Sequence, residues 1–124
     1  MAEPSYNENS ILDSVKKNLG ITAEYTDFDP DIIININAAF SILNQLGVGP
    51  EGGFKIIDNT AEWSDYTDDA RLEFVKTYTI QKVKQFFDPP QTGPLATALD
   101  NTLKELEWRI NVAVDPKPKR GGTI

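Results

Sequence analysis

The chain has 124 residues, of which 40% are hydrophobic and 25% charged, a balance that fits one globular domain and argues against disorder over the whole length. Cysteine and histidine are both absent, which excludes disulfides, thiolate metal sites, cysteine nucleophiles and the commonest general base of enzymes. The net charge is -7, and this acidic surplus argues against a broad basic face that would bind DNA.

The first predicted helix runs from Ser10 to Leu19. Ser10 can act as its N-cap, Asp13 occupies the capping-box position, and Gly20 ends the helix. The apolar residues have the spacing of one helix face, and they are Ile11, Leu12, Val15 and Leu19.

The second predicted helix begins at Pro30 and ends near Leu46, before the run GVGP. Asp29 can cap it, Pro30 suits its first turn, and Asp31 complements the helix dipole. Its predicted inward face consists of Ile32, Ile36, Ala39, Leu43 and Leu46, widened by Ile33 and Phe40.

Three aspartates at the start of this helix, Asp27, Asp29 and Asp31, also resemble the opening of a calcium loop. Such a loop needs glycine at its sixth position and glutamate at its twelfth, where this chain has Ile32 and Ala38. Because both positions fail, the pattern favours helix capping over a metal site.

Residues 47–67 are predicted to be irregular, because glycines and Asp58-Asn59 mark turns around the short apolar run 54–57. A small β-hairpin that pairs this run with residues 61–63 is left open. The glycines at 47–53 match neither a dinucleotide fingerprint nor a P-loop, so we interpret them as a helix stop and a turn.

Two more helices are predicted in the second half of the chain. The third starts near Thr67 or Asp68 and ends at Phe86, before Asp88-Pro89-Pro90. Its predicted inward residues are Leu72, Val75, Val83 and Phe86. The fourth runs from Pro94 to Val114, with the stripe Leu95, Leu99, Thr102/Leu103, Leu106, Ile110 and Ala113.

The predicted fold is all-α, a compact four-helix arrangement with one irregular loop between the second and third helices. We expect a flexible N-terminus at residues 1–9, a helical domain at 10–115 and a flexible basic tail at 116–124. Charge differs between the two halves, because residues 1–75 carry fourteen carboxylates against four basic side chains, whereas residues 76–124 carry five against eight.

Candidate functional residues are few. The acidic run around the start of the third helix is conceivable as a metal or catalytic site, but a solvated helix N-terminus or a partner-facing surface explains it as well. Tryptophans are predicted to be core or interface anchors. No catalytic, cofactor-binding or metal-binding residue is predicted, and the candidates for partner binding are Trp63, Asp65, Asp68, Asp69, Lys117, Lys119 and Arg120.

Five segments of the chain resemble the head–tail connector (adaptor) proteins of tailed bacteriophages, in the same order and with similar spacing. They are SILDSVKKNLGI at 10–21, FDPDII at 28–33, NQLGVGP at 44–50, FDPP at 87–90 and ELEWRIN at 105–111. The resemblance extends from residue 10 to residue 114 and does not include the basic tail.

This resemblance implies an all-helical virion subunit, made in the cytoplasm of the host bacterium, that needs no cofactor and is not an enzyme. It implies a ring, expected to be dodecameric, beneath the portal protein, with genomic DNA passing through and a stopper or tail-completion protein below. The acidic surplus would keep DNA moving through the channel, and the basic tail would dock on an acidic portal surface. No stretch is apolar enough to cross a membrane.

Three alternatives differ in class from a connector or in position within the virion. The nearest is another small virion joining protein, such as a stopper or tail-completion subunit. A helical DNA-binding regulator would need an exposed recognition helix with basic and amide side chains, which the acidic half does not offer. A small carboxylate-based enzyme is the third.

Overall fold

The computed structural model describes residues 7–67 and 72–114. Within them it contains five helices and no strand, which confirms the all-α fold. The helices are α1 (Ile11–Leu19), α2 (Asp29–Gln45), α3 (Trp63–Tyr66), α4 (Leu72–Phe87) and α5 (Gly93–Val114).

Helix α1 has the predicted bounds because both of its ends are fixed by local signals. The Ser10 hydroxyl accepts a hydrogen bond from the Asp13 N–H at 3.2 Å, and Gly20 ends the helix in the left-handed region at φ 79°. The predicted capping box is only half formed, because the Asp13 carboxylate accepts the N–H of Asn7 at 3.1 Å and not that of Ser10.

Helix α2 begins one residue earlier than predicted, and the prediction that aspartate caps it is wrong. Phe28 occupies the N-cap position, and no side chain makes a capping hydrogen bond there. Asp29 is instead the first helical residue, and its carboxylate forms an ion pair with Lys16 of α1. Pro30 lies in the first turn, as predicted.

The hairpin that the sequence left open is not formed in the described residues. The run 54–57 lies along α2, where the Asn37 side chain donates to the Ile56 carbonyl at 3.0 Å and accepts the Ile56 N–H at 2.9 Å. The following segment makes a single antiparallel bridge between Ser10 and Glu62. The backbone groups that a hairpin would pair therefore have other partners.

A short helix, α3, was not predicted. Its capping box is formed by Glu62 and Asp65, with the Glu62 N–H donating to the Asp65 carboxylate at 2.9 Å. Thr67 ends α3 in an extended conformation, and the described part of the next helix begins at Leu72. Asp68, the other predicted start, lies outside the described residues.

Helix α4 packs against both α2 and α5 and so occupies the centre of the fold. Val75 and Val83 face the core as predicted, but Phe86 is 45% exposed and its predicted inward position is wrong. The register places Phe87 inward instead, with its ring 5.4 Å from that of Phe28.

One hydrophobic core joins the four longer helices and the loop before α3. Helix α5 contributes to it from its middle onward, whereas Leu95, predicted at the start of its stripe, is 60% exposed. The buried core consists of Ile11, Leu12, Val15, Ile32, Ile36, Phe40, Leu43, Val48, Ile56, Trp63, Tyr66, Val75, Tyr78, Val83, Leu103 and Ile110.

Candidate interaction site

An apolar groove of about 660 Å³ opens between α1, the first turns of α2 and the segment 56–59. Its walls include Leu12, Ile33, Ile34, Ile56 and Ile57. Two of these side chains lie at the surface, with Ile57 84% and Ile34 65% exposed. Exposed isoleucines beside an open groove indicate a surface that another molecule can cover.

Three carboxylates, Asp13, Asp29 and Asp58, also line this groove, and none of the described lining residues is basic. The Asp58 carboxylate accepts hydrogen bonds from the Thr60 hydroxyl at 2.6 Å and the Thr60 N–H at 2.9 Å. These two bonds favour the charged form and lower the pKa of Asp58 below its usual value. The groove is therefore apolar with an acidic edge.

A buried lysine holds this edge in place. The side chain of Lys16 is only 1% exposed, and its Nζ lies 2.8 Å from Asp29 Oδ1. The same ammonium donates to the carbonyls of Ala23 at 3.0 Å and Tyr25 at 2.7 Å. Because these contacts join α1, the α1–α2 loop and the start of α2, Lys16 fixes the position of the groove wall.

A second exposed apolar surface lies on α5. Trp108 is 65% and Val112 51% exposed, and their spacing of four residues places them on one side of the helix. The opposite side carries Leu103 and Ile110 into the core. About two-thirds of the Trp108 side chain is thus exposed, although tryptophan is among the costliest side chains to leave in water.

The predicted site residues fall into three groups. Trp63 is buried, and its indole N–H donates to the Ser14 hydroxyl at 2.9 Å, so its place is in the core. Asp65 is exposed at the surface and takes part in the capping box of α3. The remaining candidates lie outside the described residues, and they are Asp68, Asp69, Lys117, Lys119 and Arg120.

The groove and the α5 surface were not predicted as sites. Ile33 is predicted to widen the core face of the second helix, and the run 54–57 is predicted as a short apolar run between turns that a hairpin could pair, so neither prediction suggested a groove. The sequence contains one indication of this surface, the adjacent apolar pair Ile56-Ile57. Because adjacent side chains point in different directions, packing against the core buries one of the two and leaves the other exposed. Trp108 was predicted as a core or interface anchor, and its exposure places it on the surface.

The described residues give no support for a metal centre, since no group of three or more carboxylates is arranged there to hold a cation. In the same part of the chain, no helix has the length and apolar character needed to cross a membrane.

A protein-family model described as "Phage connector protein" matches residues 11–117, which is most of the chain. No curated protein and no solved structure matches it. The matched range includes all five helices and therefore both the groove and the exposed surface of α5.

Proposed function

The chain belongs to the phage connector protein family and has a structural role there, and we propose that it forms a ring beneath the portal protein at the head–tail interface. The ring is expected to be dodecameric. Genomic DNA passes through its channel, and a stopper or tail-completion protein binds on the far side. The match of the family model over residues 11–117 is the observation that carries this proposal.

The surface of the subunit supports an assembly role in a way that is independent of the family match. A globular domain normally buries most of its large apolar side chains. This chain of 124 residues nevertheless exposes the isoleucines of the groove and, on another helix, Trp108 and Val112. Ring subunits need two different contact surfaces, because each copy touches one neighbour on either side. Separate apolar surfaces meet this requirement.

The charge balance supports the proposed passage of DNA. A net charge of -7 repels phosphates, and DNA that makes no stable contact with the ring can move through it. The exposed Asp65 and the neighbouring predicted acidic residues, Asp68 and Asp69, are candidates for the channel lining. Lys117, Lys119 and Arg120 are instead predicted to meet an acidic protein surface.

The test is sedimentation of the purified protein, alone and mixed with portal rings of the same phage. Co-sedimentation at near-ring stoichiometry is the expected result. A monomer in the absence of portal is compatible with the proposal, since the portal can act as the template for the ring. Lack of association at every concentration and salt tested would overturn the portal assignment, and binding to the tail side alone would indicate a stopper or tail-completion subunit.

A further inference from the structure

The groove has features that select a particular kind of occupant. Its floor is apolar, with Ile34 and Ile57 open to solvent, and its edge carries carboxylates. Asp29 is paired with Lys16, and Asp13 is buried with its carboxylate accepting the Asn7 N–H. Asp58 is exposed and has no ion-pair partner among the described residues. An occupant that presents a large apolar side chain together with basic groups would complement it in both respects.

The C-terminal end of α5 presents such a combination. Trp108 and Val112 form its exposed apolar side, and the only basic cluster of the chain follows shortly after the helix ends at Val114. Lys117, the first residue of that cluster, follows Val114 by three residues. Apolar and basic groups are therefore close together in the sequence at this end of α5.

The two surfaces lie on different helices. Helix α4 packs extensively against both α2, which lines the groove, and α5, which carries Trp108, whereas α2 and α5 have little contact with each other. Within one copy, neither surface covers the other, as the exposures of Ile57 and Trp108 demonstrate. A contact between them requires a second copy of the chain.

We infer that the groove of one copy binds the Trp108–Val112 side of α5 from a neighbouring copy, with the basic cluster of that neighbour against Asp58. The inference rests on the proposed function and assigns the contact between subunits within it. Because the two surfaces differ, the contact is heterologous, and its repetition closes into a ring when the rotation between copies permits.

The charge of the two halves supports a second copy as the occupant. Residues 1–75, which contain the whole groove, have ten more carboxylates than basic groups, whereas residues 76–124, which contain α5, have three more basic groups than carboxylates. Copies arranged head to tail bring these unlike halves together, which speeds association and fixes orientation. A head-to-head arrangement would place two acidic grooves against each other.

The absence of cysteine from the chain permits a direct test by disulfide cross-linking. Full-length Ile57→Cys and Val112→Cys proteins are mixed and mildly oxidised; both positions are more than half exposed, so neither change disturbs the core. The matched control replaces Val112→Cys with Leu95→Cys, which is similarly exposed on α5 but lies at its other end. We expect the first mixture to give the mixed dimer at a rate about tenfold above the control, in keeping with a steered, specific encounter.

Further variants separate the inferred contact from chance collision. Adding Trp108→Ala to the Val112→Cys protein should reduce the cross-linking rate to that of the control. Raising the salt to 1 M should slow the reaction, since the Debye length falls to ~3 Å and the charged groups no longer attract. Deletion of residues 116–124 should also slow the cross-linking reaction, because it removes the basic cluster.

Each other outcome would overturn the inference. Equal rates with Val112→Cys and Leu95→Cys would mean that the end of α5 is not the occupant. Predominant dimers of the Ile57→Cys protein with itself would indicate a symmetric contact. A cross-linking rate that Trp108→Ala does not change would indicate another occupant. Co-sedimentation of the unmodified protein with portal rings is measured in parallel, so the portal assignment and the subunit contact can fail separately.

Discussion

Lys16 and Lys17 are adjacent in the sequence but lie in opposite environments. Lys16 is buried against Asp29 and two backbone carbonyls, whereas Lys17 is half-exposed and pairs with the exposed Glu8. Replacement Lys16→Met leaves a largely buried carboxylate without its counter-charge, and we expect it to lower the free energy of unfolding by about 3 kcal/mol. Urea denaturation followed by circular dichroism measures this loss.

Lys17→Met is the matched control, because it removes the same charge from the same turn of α1. An exposed ion pair contributes ~1 kcal/mol or less, so this variant should remain close to the parent protein. Similar losses from the two replacements would contradict the role of Lys16 in fixing the start of α2.

Two buried tyrosines, Tyr66 and Tyr78, differ in whether the hydroxyl has a partner. The Tyr78 hydroxyl donates to the Glu107 carboxylate at 2.7 Å, whereas the Tyr66 hydroxyl is buried and has no hydrogen-bond partner among the described residues. We expect Tyr78→Phe to lower the free energy of unfolding by about 2 kcal/mol and Tyr66→Phe to raise it by about 1 kcal/mol. Thermal and urea denaturation of both variants would show opposite shifts, and a shared sign would contradict this difference.

The same tyrosines make stability sensitive to alkaline pH. Burial raises the pKa of Tyr66 and of Tyr78 well above 10, and for Tyr78 the Glu107 carboxylate adds to the increase. Both hydroxyls stay protonated in the folded state, whereas in the unfolded chain they ionise near pH 10. Their contribution is therefore intact below pH 10 and is lost above it, by about 1.4 kcal/mol per pH unit for each tyrosine. Unfolding measured from pH 9 to pH 11.5 should show this decrease, and Tyr78→Phe should make its slope shallower by about 1.4 kcal/mol per pH unit. An unchanged slope would contradict the role of Tyr78.

At the scale of elements, the loop after α2 depends on Gly49 in a way that the nearby Gly52 does not. Gly49 has φ +87°, and a Cβ at this position would lie 2.5 Å from a ring carbon of the buried Tyr66. Gly49→Ala therefore combines backbone strain with a clash, and we expect it to lower the free energy of unfolding by about 2 kcal/mol. The midpoint of urea denaturation measures the change.

Gly52→Ala is the control for this loop. A Cβ at Gly52 meets no atom within 4 Å, so the only effect is a less flexible unfolded chain, with a gain of about 0.5 kcal/mol. Equal effects of the two alanines would show that the packing of Tyr66 against the loop does not hold the loop in place.

The elements also show which parts of the fold could be predicted from sequence. The ends of α1 were correct because Ser10 and Gly20 act within a few residues of the helix they bound. The cap of α2 was wrong because Asp29 has a tertiary partner, Lys16, which no local pattern reveals. The prediction of the inward side of α4 was wrong by one residue at the C-terminal end of the helix. Phe86 and Phe87 are equally apolar, and only packing against Phe28 selects between them.

The groove could not have been predicted by the same means. Its walls come from α1, α2 and the segment 56–59, and this segment, which is distant in the sequence from both helices, is held against α2 by the two hydrogen bonds of Asn37 to Ile56. The structural role indicated by the sequence agrees with the family match. Among the residues predicted to bind a partner, Trp63 is buried, whereas Ile57 and Trp108 are the large apolar side chains that the fold leaves exposed.

At the scale of the whole molecule, we expect stability and association to depend on different parts of the chain. Among the described residues the last core residue in the sequence is Ile110, and the basic cluster follows it in the sequence. Changes in the cluster should therefore affect binding between molecules without weakening the fold. This separation allows the assembly role to be tested in a protein that is otherwise unaltered.

Deletion of residues 116–124 is expected to leave the free energy of unfolding within about 0.5 kcal/mol of the full chain, because the deletion leaves every core residue of the described part of the chain in place. It should nevertheless weaken co-sedimentation with portal rings and make the remaining association less sensitive to salt, since three basic side chains are lost. The full-length triple variant Lys117→Ala, Lys119→Ala, Arg120→Ala tests whether charge is the cause. If the triple variant assembles normally while the deletion does not, the segment acts through its backbone or apolar groups, and the electrostatic account of the tail is wrong. If both assemble normally, the basic cluster has no part in joining the subunit to its neighbours.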